Sequence, residues 1–176
     1  APVIFEEIAC LNGKKIGLAS LNVPHKLNAL GLPMIQLLIP KLASWRTNPD
    51  IAMVILQGAG DKAFCAGGDI VSLYSEMAEN PGQFTDNIKA FFTQEYQLDY
   101  LIHTFEKPML VWGSGIVMGG GLGLMVGASH RVVTESTCMA MPEIAIGLYP
   151  DVGATWFLSH IPEKIGLFLG LTGARL

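Results

Sequence analysis

A chain of 176 residues with a net charge of −4 and a pI of about 5.5 is sized for one domain and lacks the basic balance of a nucleic-acid binder. It is 51% hydrophobic and only 15% charged, with a mean hydropathy of +0.42, yet no apolar run reaches the roughly 18 residues of a membrane-spanning helix. Three scattered cysteines, Cys10, Cys65 and Cys138, make neither a disulfide framework nor a zinc site and suit a reducing compartment.

The opening APVIFEE has no basic start followed by an apolar core, so it predicts no secretory leader. Ile16 to Leu21 predicts a strand, and the turn signals NVPHKLN follow it. Leu32 to Trp45 carries apolar residues at helical spacing and is stopped by Asn48-Pro49-Asp50. Ile51 to Gln57 (IAMVILQ) has no polar alternation and predicts a strand buried on both faces. Gly58 to Gly68 is a glycine-punctuated loop, after which Asp69 opens a helix over Ile70 to Ala78. Thr85 to Phe105 predicts a long amphipathic helix ended before Lys107-Pro108, and Met109 to Trp112 a second buried strand. The triplet Gly119-Gly120-Gly121 and a short apolar helix come next, then short strands at Arg131 to Thr134 and Cys138 to Ala140. A loop runs from Pro142 to Gly153, and helices begin at Thr155. Strands alternating with helices make this an α/β chain. It stops at LTGARL, directly behind an apolar helical pattern over Ile165 to Leu171, so we expect a single core domain over 1–176 that forms the N-terminal piece of a longer protein.

Two stretches carry the chemistry. AFCAGGDI (Ala63 to Ile70) and VMGGGLGL (Val117 to Leu124) each lie between a buried strand and a helix. Backbone N–H groups at a helix start are unpaired, and glycine admits a ligand close to them. A phosphate is one candidate ligand, but GxxxxGK[ST] and GxGxxG are both absent as intact patterns. An oxyanion forming on a carbonyl is another, held by one N–H from each loop and stabilised by about 3 kcal/mol per donor in the transition state. Tight packing of helix on strand is a third reading and needs no ligand.

Together and in this order the two loops resemble the crotonase (enoyl-CoA hydratase/isomerase) superfamily. Ala63 to Ile70 is similar to its CoA loop, Met118 to Gly121 to its second oxyanion loop, and Pro24 to Leu30 to its early CoA-contacting segment. Met141-Pro142-Glu143 and Gly147 to Gly153 continue the likeness. The resemblance implies an α/β fold of repeated ββα units wound as a ClpP-like spiral, with two nearly perpendicular sheets flanked by helices and the C-terminal helical region largely absent from this chain. It implies an oxyanion hole made by the N–H groups of Ala66 and Gly120. It also implies substrate contacts from Lys26, Leu27, Gly67, Gly68, Asp69 and Ile70. No cofactor is implied, because CoA belongs to the substrate. The implied partner is an acyl-CoA, not nucleic acid or membrane, and the family's C-terminal region leaves room for a homo-oligomer.

Hydratases of the superfamily carry two glutamates. The second matches Glu143, and the first falls on Gly123, which has no proton to move. The 3-hydroxyisobutyryl-CoA hydrolases keep glycine there. Phe91-Phe92, Glu95-Tyr96 and AIGLYPDVG (Ala145 to Gly153) resemble their segments, with departures at Gln94 and at Ala154-Thr155 that touch no catalytic group. This closer resemblance implies hydrolysis of a 3-hydroxyacyl-CoA thioester in valine breakdown, in the cytoplasm of a bacterium or the mitochondrial matrix of a eukaryote. Glu143 is then nucleophile or general base, Asp151 orients substrate or water, and Glu95 bonds the 3-hydroxyl. Hydration or isomerisation on the same fold, and a catalytically silent CoA-binding protein, are the rival readings. Taken singly, Glu143 is an ordinary first-turn carboxylate, Asp151 a turn or N-cap residue and Glu95 a solvated-face residue. Cys65 and the four histidines read as structural.

Overall fold

The structure, a computed structural model, describes residues 1–11 and 13–176. The elements run β1 (Val3–Ala9), β2 (Lys15–Leu21), α1 (Leu32–Thr47), β3 (Ile51–Gly58), β4 (Ala63–Cys65), α2 (Ile70–Glu79) and α3 (Asp86–His103). They continue with β5 (Met109–Gly113), β6 (Ile116–Met118), α4 (Gly120–Gly127), β7 (His130–Val133), β8 (Cys138–Ala140), α5 (Ala154–Ser159) and α6 (Ile165–Thr172). Among the described residues no helix is long and apolar enough to cross a membrane.

A five-stranded sheet has the order β1-β2-β3-β5-β7 and a three-stranded sheet the order β4-β6-β8. Among the described residues β1 and β2 are antiparallel, and the other neighbouring strand pairs are parallel. Parallel neighbours need a crossover, and α1, then α2 with α3, then α4 supply it. Each pair β3-β4, β5-β6 and β7-β8 lays one strand in the large sheet and the next in the small one. This is the expected spiral of ββα units.

The structure departs from the sequence reading in three places. β1 is a strand although Glu6-Glu7 interrupts its apolar residues. Its full length pairs with β2, from Val3 opposite Leu21 to Ala9 opposite Lys15, and Glu7 accepts from Trp45 Nε1 at 3.0 Å and pairs with Lys15 and Lys41. β4 and β6, three residues each, emerge from stretches without a strand-length pattern because they pair with each other. β3 is not buried on both faces: Ile51, Val54 and Leu56 enter the core, whereas Ala52 is exposed and Met53 and Ile55 are half-buried.

The core lies between the large sheet and α1, which buries Met34, Ile35, Leu38, Leu42 and Trp45. Asn28 is fully buried and clamps the β2–α1 connection onto the loop before β4. Its amide donates to the carbonyls of Ala59 at 3.0 Å and Ala63 at 2.9 Å, and its Oδ1 accepts from Val23 N–H at 2.9 Å. α2 buries no residue. It is held at its ends: Asp69 caps it by accepting from Ser72 N–H at 3.2 Å and pairs with Lys26 at 2.9 Å, and Glu76 accepts from Thr85 and Asn87.

Candidate active site

Two turns bring backbone donors together. The chain leaves β4 through Ala66, Gly67 (φ +109°) and Gly68, and leaves β6 through Gly119 (φ +50°) into α4. β4 and β6 are parallel neighbours, so both turns emerge from the same edge of the small sheet. A Cβ built on Gly120 would stand 3.7 Å from the Gly68 nitrogen. Among the described residues neither the Gly68 nor the Gly120 N–H has a backbone acceptor. Gly120 also opens α4, where the helix dipole favours negative charge.

Ala66 has to be corrected as an oxyanion donor. Its N–H already donates to the Leu27 carbonyl at 3.0 Å. Leu27 and Asn28 both take left-handed backbone, and this turn carries the Leu27 carbonyl to Ala66. Leu30 then bridges Gly68, with Leu30 N–H on the Gly67 carbonyl at 2.7 Å and Asp69 N–H on the Leu30 carbonyl at 2.9 Å. In a parallel bridge of this kind the N–H of the bridged residue faces away from its partner, which frees Gly68. The free N–H of this turn therefore belongs to Gly68, two residues beyond the position the motif suggests.

The carboxylates come from three other elements. Glu143 opens a 3-10 turn (Glu143–Ile146) after β8 and is 7% exposed. Its Oε1 would be 2.7 Å from a Cβ on Gly119, and its Oε2 is buried without a hydrogen-bond partner. Burial raises its pKa above the ordinary glutamate range, and the Asp151 charge adds to the rise. Glu95 is not on a solvated face. It is 3% exposed, with Oε1 2.5 Å from where a Gly120 Cβ would be. Burial first, then the charges of Asp99, Asp151 and Glu143, push its pKa to about 8, so at neutral pH it carries a proton it can donate. Asp151 is not a helix cap: α5 begins behind Gly153 with no side-chain cap. Instead Asp151 Oδ2 accepts from the Tyr96 hydroxyl at 2.7 Å.

Gly123 stays closed to any side chain. A Cβ there would lie 2.6 Å from Val152 Cβ. One helical turn along α4 from Gly120 a cavity of about 500 Å³ opens, lined among others by Tyr96, Asp99, Gly123, Tyr149, Asp151 and Trp156; it reaches neither Gly68 nor Gly120. Asp99 escaped the sequence reading, although its place four residues after Glu95 puts it on the same helical face. Of the remaining site candidates, Lys26 and Asp69 bind each other across the mouth of the first glycine turn, Leu27 and Gly67 shape that turn, and Ile70 is half-exposed beside it. Cys65 is fully buried, and burial pushes its thiol up to about 12, as a packing residue requires. His103 meets the Trp156 ring edge-on and His160 lies tilted against it.

Parallel strand pairs ending in two glycine turns, with a buried carboxylate over them, define a scaffold for polarising a carbonyl. Residues 16–176 match the family described as enoyl-CoA hydratase/isomerase, and the chain belongs to that family. It is similar to the mitochondrial 3-hydroxyisobutyryl-CoA hydrolase of Xenopus tropicalis, 48% identical over 161 residues that cover 91% of this chain and 40% of the relative. It is similar also to the small ribosomal subunit protein mS47 of Neurospora crassa, 44% identical over 156 residues, 89% of this chain and 30% of the relative. The crystal structure of a carnitinyl-CoA dehydratase from Mycobacterium thermoresistibile superposes with a TM-score of 0.89 at 40% identity, over 99% of this chain and 48% of that one. The chain thus spans 40% of the length of the curated hydrolase it matches.

Proposed function

We propose that this protein hydrolyses a 3-hydroxyacyl-CoA thioester, 3-hydroxyisobutyryl-CoA before others, to the free acid and CoA. The observation that carries the reading is an asymmetry of the site. Glu143 stands over the Gly119–Gly120 turn with an unpartnered oxygen and Glu95 faces Gly120 from α3, while on α4 itself Val152 fills the space beside Gly123, the position of a hydratase's first glutamate. Hydration across a double bond calls for two carboxylates, and α4 has no room to carry the second.

The thioester oxygen accepts from the N–H groups of Gly68 and Gly120, which hold the negative charge that develops there, at about 3 kcal/mol of transition-state stabilisation per donor. Glu143 then attacks the carbonyl carbon and expels the CoA thiolate, leaving a mixed anhydride that water opens, or takes a proton from the water that attacks directly. Both routes yield one acid and one CoA. Asp151, fixed by Tyr96, orients substrate or water, and Glu95 bonds the 3-hydroxyl. No cofactor takes part, because CoA arrives with the substrate. The mitochondrial names of the relatives support the matrix for a eukaryotic source, and the cytoplasm is the counterpart in a bacterium.

The test follows thiol release from (S)-3-hydroxyisobutyryl-CoA beside hydration of crotonyl-CoA, in the intact protein and in Glu143→Gln. Thiol release that the substitution lowers by about 100-fold or more is the expected result. Hydration without thiol release would overturn the reading, and acyl-CoA binding with neither reaction would favour a non-catalytic member of the family.

A further inference from the structure

Asp99 has no task in the reaction above, and its surroundings give it one. Both carboxylate oxygens are shut off from solvent, and among the described residues neither has a hydrogen-bond partner. Buried polar atoms are rarely left so, because the loss of water is then uncompensated. No lysine or arginine lines the cavity that Asp99 borders.

The helix register aims the side chain. Glu95 on α3 meets Gly120 on α4, while a Cβ on Gly127 would lie 3.3 Å from Ile102 Cγ2, 3.6 Å from His103 N and 3.7 Å from the Asp99 carbonyl. The two helices therefore run parallel. Cα–Cβ bonds lean toward a helix N-terminus, so the Asp99 side chain leans back from the level of Gly127 toward Gly120. That brings it opposite Gly123, which offers no side chain of its own. Asp99, Gly123, Tyr96 and Asp151 all line the same cavity of about 500 Å³. The cavity begins one helical turn along α4 from Gly120, so an acyl chain whose carbonyl sat on Gly68 and Gly120 would have to run along α4 to enter it. A hydroxyl two carbons beyond the carbonyl then lies between Glu95 and Asp99, which are one helical turn, about 6 Å, apart on α3.

We propose that Asp99 is a specificity-determining residue: with Glu95 it hydrogen-bonds the hydroxyl of the acyl group and so selects hydroxyacyl thioesters over plain acyl thioesters of the same skeleton. The inference rests on the thioester-hydrolase reading of this site. A carboxyl group suits the role in either charge state, since it accepts when ionised and donates when protonated.

The test sets the intact protein beside Asp99→Leu and Asp99→Asn, with Asp99→Ala as a second variant should the bulk of leucine disturb folding. The substrates are (S)-3-hydroxyisobutyryl-CoA and isobutyryl-CoA, which differ only in the hydroxyl. Asp99→Leu is expected to lower kcat/KM for the hydroxylated ester by about 10- to 100-fold and to leave isobutyryl-CoA within about twofold, the pattern of a site built to bond a hydroxyl. Asp99→Asn, which keeps a donor and an acceptor, retains most of the preference. Calorimetric affinities for the two matching CoA thioethers, which do not hydrolyse, read the same preference without turnover. Equal losses on both compounds, or an unchanged preference in Asp99→Leu and Asp99→Ala, would overturn the assignment. If the unsubstituted protein cleaves neither ester, the hydrolase reading fails, and the thioether pair still decides whether Asp99 selects the hydroxyl.

Discussion

Replacing Gly123 by alanine sets a Cβ 2.6 Å from Val152 Cβ and 2.8 Å from its Cγ2. The obstacle is not the loose end of a flexible chain. Val152 is a β-branched residue, 6% exposed, whose φ of +43° already lies in the left-handed region. Overpacking of this kind costs about 1–3 kcal/mol. Alanine regains about 1 kcal/mol of helix propensity in α4, so the net loss should be about 0–2 kcal/mol, or up to about 8 °C in Tm for a chain of this size. Val152→Gly gives up about 1.5–3 kcal/mol of side-chain burial and recovers about 1–2 kcal/mol of left-handed strain, a small net loss. In the double variant the clash is gone and only the helix gain remains. Gly123→Ala then stabilises by about 1 kcal/mol, and the two changes couple by about 2 kcal/mol. Urea unfolding of the four proteins measures the cycle. Because Val152 follows Asp151, the Gly123→Ala protein should also lose thiol release as Asp151 shifts from Tyr96. A cycle additive within about 0.5 kcal/mol would refute the claim that Val152 closes this position, and with it the argument that α4 has no room for a second acid.

The pH profile of kcat/KM should be bell-shaped. Its acid limb falls above the ordinary glutamate range, because burial raises the Glu143 pKa, and its alkaline limb falls at about 8, where Glu95 gives up its proton. Burial first, then neighbouring carboxylates, raise both Glu95 and Asp99 from the ordinary carboxylate range to about 8 in the folded chain. Their folded pKa values are raised, so the unfolded chain holds fewer protons between those limits, and stability falls with rising pH across that window. Urea midpoints measured from pH 4 to 9 should decline, and a rise between 5 and 8 would contradict the burial of these two groups. Asn28→Ala leaves the Val23 N–H and the carbonyls of Ala59 and Ala63 without their partner and should cost about 3 kcal/mol in denaturant unfolding. Iodoacetamide at pH 8 should label Cys10 and Cys138 well before Cys65, whose thiol is buried and pushed up to about 12; equal labelling by peptide mass would show the first glycine turn to be open.

What could be read from the sequence was whatever depends on local pattern. α1, α3 and β3 announce themselves by apolar spacing and stop signals, and the observed bounds of α1 and α3 lie within two residues of the pattern. Motif likeness reached Glu143, Asp151 and Gly120, and the structure gathers Glu143 and Glu95 at the second glycine turn. The misses are of another kind. β4 and β6 are strands only because each has the other to pair with. The choice between Ala66 and Gly68 turns on the Leu27 carbonyl, which the fold brings from the far side of α1. Asp99 and Glu95 look like residues of a solvated face until α4 packs against them, since an amphipathic pattern cannot say which polar residue falls at a helix contact.

The packing of α4 also explains why the acids stand where they do. A Cβ on Gly121 would meet the Cys65 carbonyl at 2.3 Å, one on Gly119 Glu143 Oε1 at 2.7 Å, one on Gly120 Glu95 Oε1 at 2.5 Å and one on Gly123 Val152. The first turn of this helix is thus in contact on every side. At its glycine positions only backbone is exposed to the site, and no side chain fits there. The carboxyl groups around it come from facing elements: Glu95 from α3 and Glu143 from the turn after β8 stand at the glycine turn, and Asp151, from the turn before α5, stands one helical turn along. Under the proposed hydrolase reading, the reaction would be set by how these three pieces dock on one glycine-rich helix. A change that moved α3 along α4 would shift Glu95 and Asp99 together and leave the Gly68 and Gly120 N–H groups in place, so under that reading substrate choice could vary while carbonyl polarisation was kept.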